Sequence, residues 1–310
     1  MRIAIFGTGG AGGYFGSQLA LAGEDVVFIA RGEHLQAIRE HGLRIETAAG
    51  ETVVRSEATD DPADVGAVDA VLVGVKTWQV TDAARSMQPM MTPDTFVVPL
   101  QNGVEAATHL SEVLGADHVL GGLCGTISRV AGPGRIFSTG HTNFIKFGEL
   151  DNHSSERARR LREAFKRARV KVETPTDIQA AMWEKFIFVA PYGGVGAVTR
   201  STVGVIRSLK ETRRMLEQGM KEILMVARAR RISLADDITE KTMALVDALD
   251  ESATTSLQRD ICAGKPSELE AWNGAVVRLG REAGVPVPLH EFFYHSLLPQ
   301  ELRARGALKI

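Results

Sequence analysis

The first half of the chain alternates short apolar runs with stretches of helical character. The earliest runs are rich in Val, Ile, Leu and Phe and alternate little, which is typical of strands buried on both faces. Strands are predicted at Arg2–Phe6, Val26–Ala30, Ala70–Val75, Phe96–Pro99, Val119–Thr126, Arg135–Thr139, Phe144–Phe147 and Val170–Glu173. Helices are predicted at Gly12–Ala22, Glu33–His41, Val80–Met87, Val104–Leu114 and Ser155–Ala168. Strands that alternate with helices predict right-handed crossovers and an α/β fold with a Rossmann-type doubly wound parallel sheet.

The second half of the chain has a different pattern, in which helical periodicity prevails and no strand is evident. Helices are predicted at Asp177–Pro191, Leu209–Ala229, Ile238–Leu249, Glu268–Ala283 and Pro288–Leu298. Pro175 and Thr176 precede Asp177, a plausible helix N-cap. We therefore expect two domains, a Rossmann-type domain at 1–176 and an all-helical domain at 177–310. Within the first, the turns at 132–134 and 139–141 predict antiparallel strands added at one edge of the sheet.

Composition excludes several classes of protein. Lys and Arg number 36 and Asp and Glu 38, which gives a net charge of −2 in 310 residues. A charge this close to neutral gives no field that would gather nucleic acid or an anionic membrane. The two cysteines, Cys124 and Cys262, are far apart and are expected to be small core residues. The histidines lack metal-ligand spacing, so no metal site is expected.

The segment from Ile3 to Gly23 carries no charge and is long enough to resemble a membrane span. Seven of its residues are glycine, with polar residues among them, which is not the pattern of an inserting helix. We therefore expect a cytoplasmic protein. The apolar helices of the second half could bury a partner subunit, which favours a homodimer.

A glycine-rich loop joins the first predicted strand to the first predicted helix. It contains G-x-G-x-x-G, with Gly7, Gly9 and Gly12 at the three glycine positions and Gly10 between them. The first glycine allows a tight turn, the second lets a pyrophosphate approach the backbone, and the third lets the helix pack on the strand. The helix N-terminus then faces the phosphate charge. This context predicts a dinucleotide site, whereas the alternative is an ordinary flexible turn.

The end of the second strand distinguishes the two nicotinamide cofactors. An NAD site would place Asp or Glu there to bind the ribose 2′-hydroxyl. This chain has Ala30 and then Arg31, and a guanidinium can pair with a 2′-phosphate. The sequence therefore favours NADP(H), although Arg31 could instead be a solvated arginine that follows a strand.

Two polar residues follow later strands of the sheet. Lys76 comes after Ala70–Val75, and Asn102 comes after Phe96–Leu100. Open α/β sheets bind ligands beyond the carboxyl ends of their strands. Lys76 could add charge near the adenosine phosphate, and Asn102 could bind the cofactor ribose or a substrate. An exposed lysine and a turn asparagine are the alternatives.

A lysine interrupts the apolar face of the helix that begins at Asp177. Lys185 falls at helical spacing within the stripe Ile178, Ala181, Met182, Lys185, Phe186, Val189. Burying a bare ammonium is costly, so this lysine must face a cleft, be paired or extend to solvent. Burial would also lower its pKa, which suits a proton donor.

Further polar candidates precede the predicted helix at Glu268. Ser267 and Glu270 have the spacing of a capping box, which would make Glu270 structural. Glu268 falls in the first turn, where the helix dipole favours an anion. Ser256 lies in a hydroxyl cluster, Thr254-Thr255-Ser256, which could equally be a cap.

Together these motifs resemble the ketopantoate reductase (2-dehydropantoate 2-reductase) family over nearly the whole chain. They are the glycine loop, Arg31, Val75-Lys76-Thr77-Trp78-Gln79-Val80, Gln101-Asn102-Gly103, Trp183-Glu184-Lys185-Phe186, Ser256-Leu257-Gln258-Arg259-Asp260-Ile261 and Ser267-Glu268-Leu269. The resemblance implies an NADPH-dependent reductase of pantothenate biosynthesis, with its active site in the cleft between a Rossmann domain and a helical domain.

The resemblance also implies roles for individual residues. Lys185 would be the general acid at the substrate carbonyl, and Glu268 would orient Lys185 or bind a substrate hydroxyl. Asn102 and Ser256 would position the small 2-oxo acid substrate and the nicotinamide. The family carries asparagines one and two turns after this lysine, where this chain has Val189 and Gly193. Another 2-oxo or hydroxy acid therefore stays open as the substrate, as does a non-catalytic NADPH sensor.

Overall fold

The computed structural model describes residues 1–139 and 143–308. The chain divides into two compact units. The first consists of Met1–Gln101 and Ala106–Ile178, and the second of Asn102–Glu105 together with the chain from Gln179 onward.

All the described strands belong to the first unit. They are β1 (Arg2–Phe6), β2 (Asp25–Ile29), β3 (Leu43–Thr47), β4 (Gly50–Val54), β5 (Glu57–Thr59), β6 (Ala70–Val73), β7 (Phe96–Pro99), β8 (Leu120–Gly125), β9 (Ser128–Gly132), β10 (Arg135–Ser138), β11 (Phe144–Glu149) and β12 (Lys171–Glu173). The helices are α1 (Gly10–Leu21), α2 (Gly32–His41), α3 (Val80–Ser86), α4 (Ala106–Leu114) and α5 (Glu156–Arg167). The main sheet is parallel throughout, with the order β5-β2-β1-β6-β7.

The sheet separates two hydrophobic cores. Ile3 and Ile5 of β1 belong to the core that also contains Phe15 of α1. Ala4 and Phe6 face the other core, with residues of α3 and α4. Successive side chains of a strand point to opposite faces, so helices cover both faces of the sheet. The prediction of a doubly wound Rossmann-type sheet is confirmed.

The first unit also contains two smaller sheets. The turn at 132–134 joins β9 and β10 as an antiparallel pair, as predicted. These strands do not extend the parallel sheet, so their expected place at its edge is wrong. They form a separate sheet, β4-β3-β10-β9, whose other strands the sequence did not predict. The turn predicted at 139–141 falls partly outside the described residues. A third sheet has the order β12-β11-β8.

The regular elements among the described residues of the second unit are all helical. Its elements are α6 (Ile178–Thr199), α7 (Val203–Ser208), α8 (Lys210–Ala229), α9 (Ile238–Asp247), α10 (Ser256–Cys262), a π-helical turn (Glu270–Gly274), α11 (Ala275–Ala283) and α12 (Pro288–Ala304). The expected end of α6 at Pro191 is wrong, because the helix continues for two more turns. Pro191 packs against Gly219 of α8, and Gly193 and Gly194 lie directly against Trp272 and Phe293. These tertiary contacts support the helix beyond the proline.

Two further observations concern the whole chain. Cys124 is buried, as expected, whereas Cys262 is exposed, so its assignment to the core is wrong. Across the described ranges 1–139 and 143–308, no helix has the length and apolar character needed to span a membrane.

Candidate active site

The glycine loop lies at the carboxyl end of β1, where the strand order reverses. Gly7 has φ +98°, a conformation that favours glycine, and a Cβ on it would lie 2.7 Å from the Val75 nitrogen. A Cβ on Gly12 would lie 2.2 Å from the Gly7 carbonyl oxygen. At Gly9 the nearest atom to such a Cβ is the Gly74 oxygen, 3.9 Å away. Neighbouring backbone atoms therefore leave no room for a side chain at Gly7 or Gly12, whereas the space at Gly9 is open.

Helix α1 begins at the end of this loop without a side-chain cap. Gly9 is its N-cap residue, and the first turn contains no acidic residue. The first N–H groups of a helix have no partner within the helix, so an anion is favoured at this end. The open backbone at Gly9 and the uncapped helix start fit the pyrophosphate of a dinucleotide.

His34 and the β9–β10 hairpin brace the glycine loop from one side. Nδ1 of His34 accepts a hydrogen bond from the Gly134 N–H at 3.0 Å, so the proton is on Nε2, which donates to the Thr8 oxygen at 2.8 Å. At Gly10, a Cβ would lie 2.5 Å from the Ser128 oxygen. The second sheet thereby fixes the position of the loop.

The strands beside β1 place further groups at the same edge of the sheet. Arg31 is exposed and is the N-cap residue of α2, directly after β2. Lys76 follows β6 and is half-buried, with Nζ 5.8 Å from the Trp78 ring centroid. Gln101 follows β7 and donates from Nε2 to the Val73 and Val75 oxygens at 3.0 and 2.8 Å. Both cations therefore lie at strand ends, where a phosphate-bearing cofactor would bind.

Lys185 lies in the second turn of α6, on a face that is otherwise apolar. Met182 and Phe186 beside it are buried, and Lys185 itself is half-buried. Glu184, the residue before it in α6, is exposed. The stripe inferred from the sequence is therefore present in the structure, with Lys185 at its margin.

Glu268 is held by a different arrangement from the one predicted. It is 8% exposed and lies two residues before a π-helical turn, not in the first turn of an α-helix. The predicted capping box is wrong, since Ser267 bonds to Glu301 of α12. Glu270 instead accepts hydrogen bonds from Arg278 and Tyr294. The wide turn arises because the Gly274 N–H bonds to the Leu269 oxygen, five residues earlier.

Packing brings together the elements that carry Lys185, Ser256 and Glu268. Ser256 is half-buried at the start of α10, which is capped by the Thr255 side chain. A Cβ on Gly193, two turns after Lys185 on α6, would lie 2.8 Å from the Trp272 ring and 3.0 Å from Leu257. Because Trp272 is in the π-helical turn and Leu257 in α10, all three elements meet at Gly193.

Asn102 belongs to the same helical unit as Lys185, Ser256 and Glu268. It is half-buried, and the next residue, Gly103, lies against the Ala271 oxygen, where a Cβ would be 3.1 Å away. The segment that carries Asn102 therefore lies next to the turn that follows Glu268.

Beyond Lys185, α6 is apolar at the two described positions one and two turns further on, and its nearby hydroxyls are bonded within the helical unit. Val189 is buried, and Gly193 is covered by Trp272. The hydroxyl of Tyr192 donates to the Ala253 oxygen at 2.8 Å, and burial raises the pKa of Tyr192 to about 12. The Thr199 hydroxyl donates to the Val195 oxygen at 2.7 Å. These two hydroxyls therefore donate hydrogen bonds within the fold.

Sequence reasoning missed several residues that shape the site. Gly74 is one, since a Cβ on it would lie 2.7 Å from the Gly7 oxygen. The glycine before Val75-Lys76 could have signalled this close approach. His34 and Glu301 gave no signal, because their partners Gly134 and Ser267 are 100 and 34 residues away.

A doubly wound sheet with an uncapped glycine loop at its reversal point, followed by a helical unit, defines a dinucleotide-binding oxidoreductase of the two-domain type. The family model for ketopantoate reductase PanE/ApbA matches residues 3–152, and that for its C-terminal part matches residues 177–301. The chain therefore belongs to the ketopantoate reductase family and is an NADP-dependent oxidoreductase.

Individual relatives resemble the chain over almost its full length. The 2-dehydropantoate 2-reductase of Nostoc sp. is 29% identical, over 96% of this chain and 94% of its own. The crystal structure of a PanE/ApbA family ketopantoate reductase from Ralstonia eutropha is 31% identical, covers 98% of this chain and 100% of its own, and has a TM-score of 0.89. The 2-dehydropantoate 2-reductase of Geobacter metallireducens is 29% identical, covers 97% and 99%, and has a TM-score of 0.90.

Proposed function

We propose that this protein reduces a 2-oxo acid of the ketopantoate type with NADPH, converting 2-dehydropantoate to pantoate. The observation that carries the proposal is the half-buried Lys185 on an apolar face, in the unit that also contains Asn102, Ser256 and Glu268. A lysine in such surroundings suits proton transfer to a carbonyl oxygen. Membership of the family supports the same reaction.

Residues 1–176 would bind the cofactor, and residues 177–310 the substrate. Gly7, Gly9, Gly10 and Gly12 would hold the pyrophosphate through backbone N–H groups at the start of α1. Arg31 would pair with the 2′-phosphate, and Lys76 would add positive charge near it. When bound, NADPH supplies the hydride for the carbonyl carbon.

Lys185 would act at the carbonyl oxygen of the substrate. Its ammonium stabilises the negative charge that develops there and donates the proton that completes the alcohol. Glu268 would orient Lys185 or accept a hydrogen bond from a substrate hydroxyl. Asn102 and Ser256 would position the substrate, and Asn102 could instead bind the ribose of the cofactor.

A second candidate substrate is favoured by one feature of α6. Val189 and the covered Gly193 leave the face beyond Lys185 apolar, and the hydroxyls of Tyr192 and Thr199 are engaged elsewhere. This arrangement favours a 2-oxo or hydroxy acid that lacks the hydroxyl of ketopantoate. A non-catalytic NADPH sensor is less consistent with Lys185 and Glu268. A homodimer and a cytoplasmic location remain predictions.

The test is single-turnover oxidation of bound NADPH on mixing with a panel of 2-oxo acids. We expect the NADPH absorbance to decay with ketopantoate. Decay with other acids only would identify the alternative reductase, and binding without decay for every acid would identify a sensor.

A further inference from the structure

The short segment Asn102–Glu105, here called the Asn102 loop, groups with the helical unit and not with the strand that precedes it. It follows β7 of the first unit along the chain but belongs to the helical unit. Gly103 has φ +105° and lies against the Ala271 oxygen, and Val104 packs against the helical core. The loop that carries Asn102 is therefore positioned by contacts with the helical unit.

One ion-pair network joins this loop to the turn after Glu268. Arg278 of α11 donates from Nη2 to Oε2 of Glu105 at 2.8 Å and from Nη1 to Glu270. The hydroxyl of Tyr294 donates to the other oxygen of Glu270 at 2.6 Å. One planar guanidinium thus bridges two carboxylates, one in the Asn102 loop and one in the π-helical turn.

The network differs from an isolated surface ion pair. Such pairs commonly contribute little, because two mobile side chains must be ordered in high dielectric. Here Glu105 is only 21% exposed, and Glu270 is fixed by both Arg278 and Tyr294. The guanidinium of Arg278 is consequently bound to a carboxylate on each side, one of them in the Asn102 loop.

We propose that Arg278 is a positioning residue, which acts through Glu105 to hold Asn102 beside the segment of Glu268. The inference rests on the proposed function, in which Asn102 binds substrate or cofactor ribose. Arg278 itself touches neither in this account. Its role is to fix the loop, since displacement of a binding group by about 1 Å can cost on the order of a hundredfold in rate.

The test is a double-mutant cycle of Glu105→Gln and Arg278→Gln, with two readouts. We expect each single variant to lower kcat/KM for the 2-oxo acid about tenfold or more, and the double variant to be no worse than either single one. Arg278→Lys should recover part of the loss, because it keeps the charge but not the fork. Amide hydrogen exchange of the peptide containing 102–105 should rise in each Gln variant.

The matched control is Arg213→Gln, which removes a guanidinium of similar exposure that pairs with Asp247 in the same unit. It should leave kcat/KM and the exchange of the Asn102 loop unchanged. Unchanged exchange of the loop in Arg278→Gln would overturn the proposal, as would additive effects of the two substitutions. A different outcome would separate the two proposals: the wild type reduces no 2-oxo acid, yet Arg278→Gln still speeds the exchange of the Asn102 loop. That outcome would count against the proposed function and not against the anchoring role.

Discussion

The backbone N–H and the hydroxyl of Ser267 both donate hydrogen bonds to the carboxylate of Glu301, at 3.0 and 2.5 Å to Oε2. Arg305, one turn later at the C-cap of α12, donates to Glu301 at 2.6 Å and to the Ser267 oxygen at 2.9 Å. The residue directly before Glu268 is thus held at three polar atoms by the C-terminal helix. This relationship couples α12 to the geometry of the candidate active site.

Replacing Glu301 should therefore affect both stability and turnover. Glu301→Gln replaces one carboxylate oxygen by an NH₂ group, which cannot accept the hydrogen bonds that Ser267 and Arg305 donate. We therefore expect the free energy of unfolding to fall by about 1.5–3 kcal/mol. We also expect kcat to fall while NADPH affinity is unchanged, because Glu268 loses its support. Chemical denaturation and steady-state kinetics measure the two effects. Glu291→Gln, on the exposed side of the same helix, should change neither.

Arg31 should determine the choice of cofactor. We expect Arg31→Ala to weaken NADPH binding about ten- to a hundredfold, because a charge-assisted hydrogen bond contributes about 1.5–3 kcal/mol. NADH binding should change little, since NADH lacks the 2′-phosphate. Fluorescence titration with both cofactors measures this, with Arg39→Ala of the same helix as the control. Equal affinity of the wild type for the two cofactors would contradict the prediction.

Lys185 should contribute to the chemical step and not to cofactor binding. We expect Lys185→Ala to lower kcat about 10²- to 10⁴-fold, the usual contribution of general acid–base catalysis. NADPH affinity should be retained. Stopped-flow kinetics and NADPH titration separate the two quantities, and Lys221→Ala, at an exposed position of α8, is the control. A variant that keeps most of its kcat would identify Lys185 as a structural residue.

Val189 should limit the activity toward ketopantoate. A missing partner for a buried polar group commonly costs about 1–3 kcal/mol. We therefore expect the wild type to turn over ketopantoate detectably. We expect Val189→Asn to raise kcat/KM for ketopantoate more than kcat/KM for the analogous acid without the hydroxyl. Val189→Ala, which adds no amide, should not. A wild-type kcat/KM for ketopantoate within the usual enzyme range of about 10⁴–10⁸ M⁻¹s⁻¹ would contradict the prediction. It would show that asparagine side chains at positions 189 and 193 are dispensable.

A buried pair in the helical unit predicts a pH-dependent stability. Burial lowers the pKa of His290 below 6.5. Burial alone would raise the pKa of Glu222, but hydrogen bonds from His290 and from the Leu289 N–H hold it below 4.5. Both groups bind protons more readily in the unfolded chain, so stability is lost as pH falls.

We expect the loss to begin below about pH 6.5 through His290 and to continue below pH 4.5 through Glu222. Each group adds at most about 1.4 kcal/mol per pH unit. Denaturation of the wild type and of His290→Gln between pH 7 and 5 measures the first part, and the variant should have the smaller slope. His295→Gln, exposed on the same helix, should keep the wild-type slope.

The sequence determined those parts of the protein in which neighbouring residues carry the information. The glycine loop needs its glycines because of local backbone geometry, and Gly7 indeed has a positive φ. The buried strands are continuous apolar runs, and the apolar stripe around Lys185 follows helical periodicity. The fold class, the cofactor class and the family could all be inferred from such local patterns.

Only the tertiary structure decided the features that depend on partners distant in the chain. Strand β4 is exposed at four of its five residues, so its pairing with β3 could not be inferred from a buried apolar run. Ser267 has the spacing of a local capping box, yet the carboxylate of Glu301 competes successfully for its donors. The physical reason is that a hydrogen bond needs its two groups within about 3 Å of each other, and the packing of the whole chain decides which groups come that close. The separation of two residues along the sequence does not encode that distance.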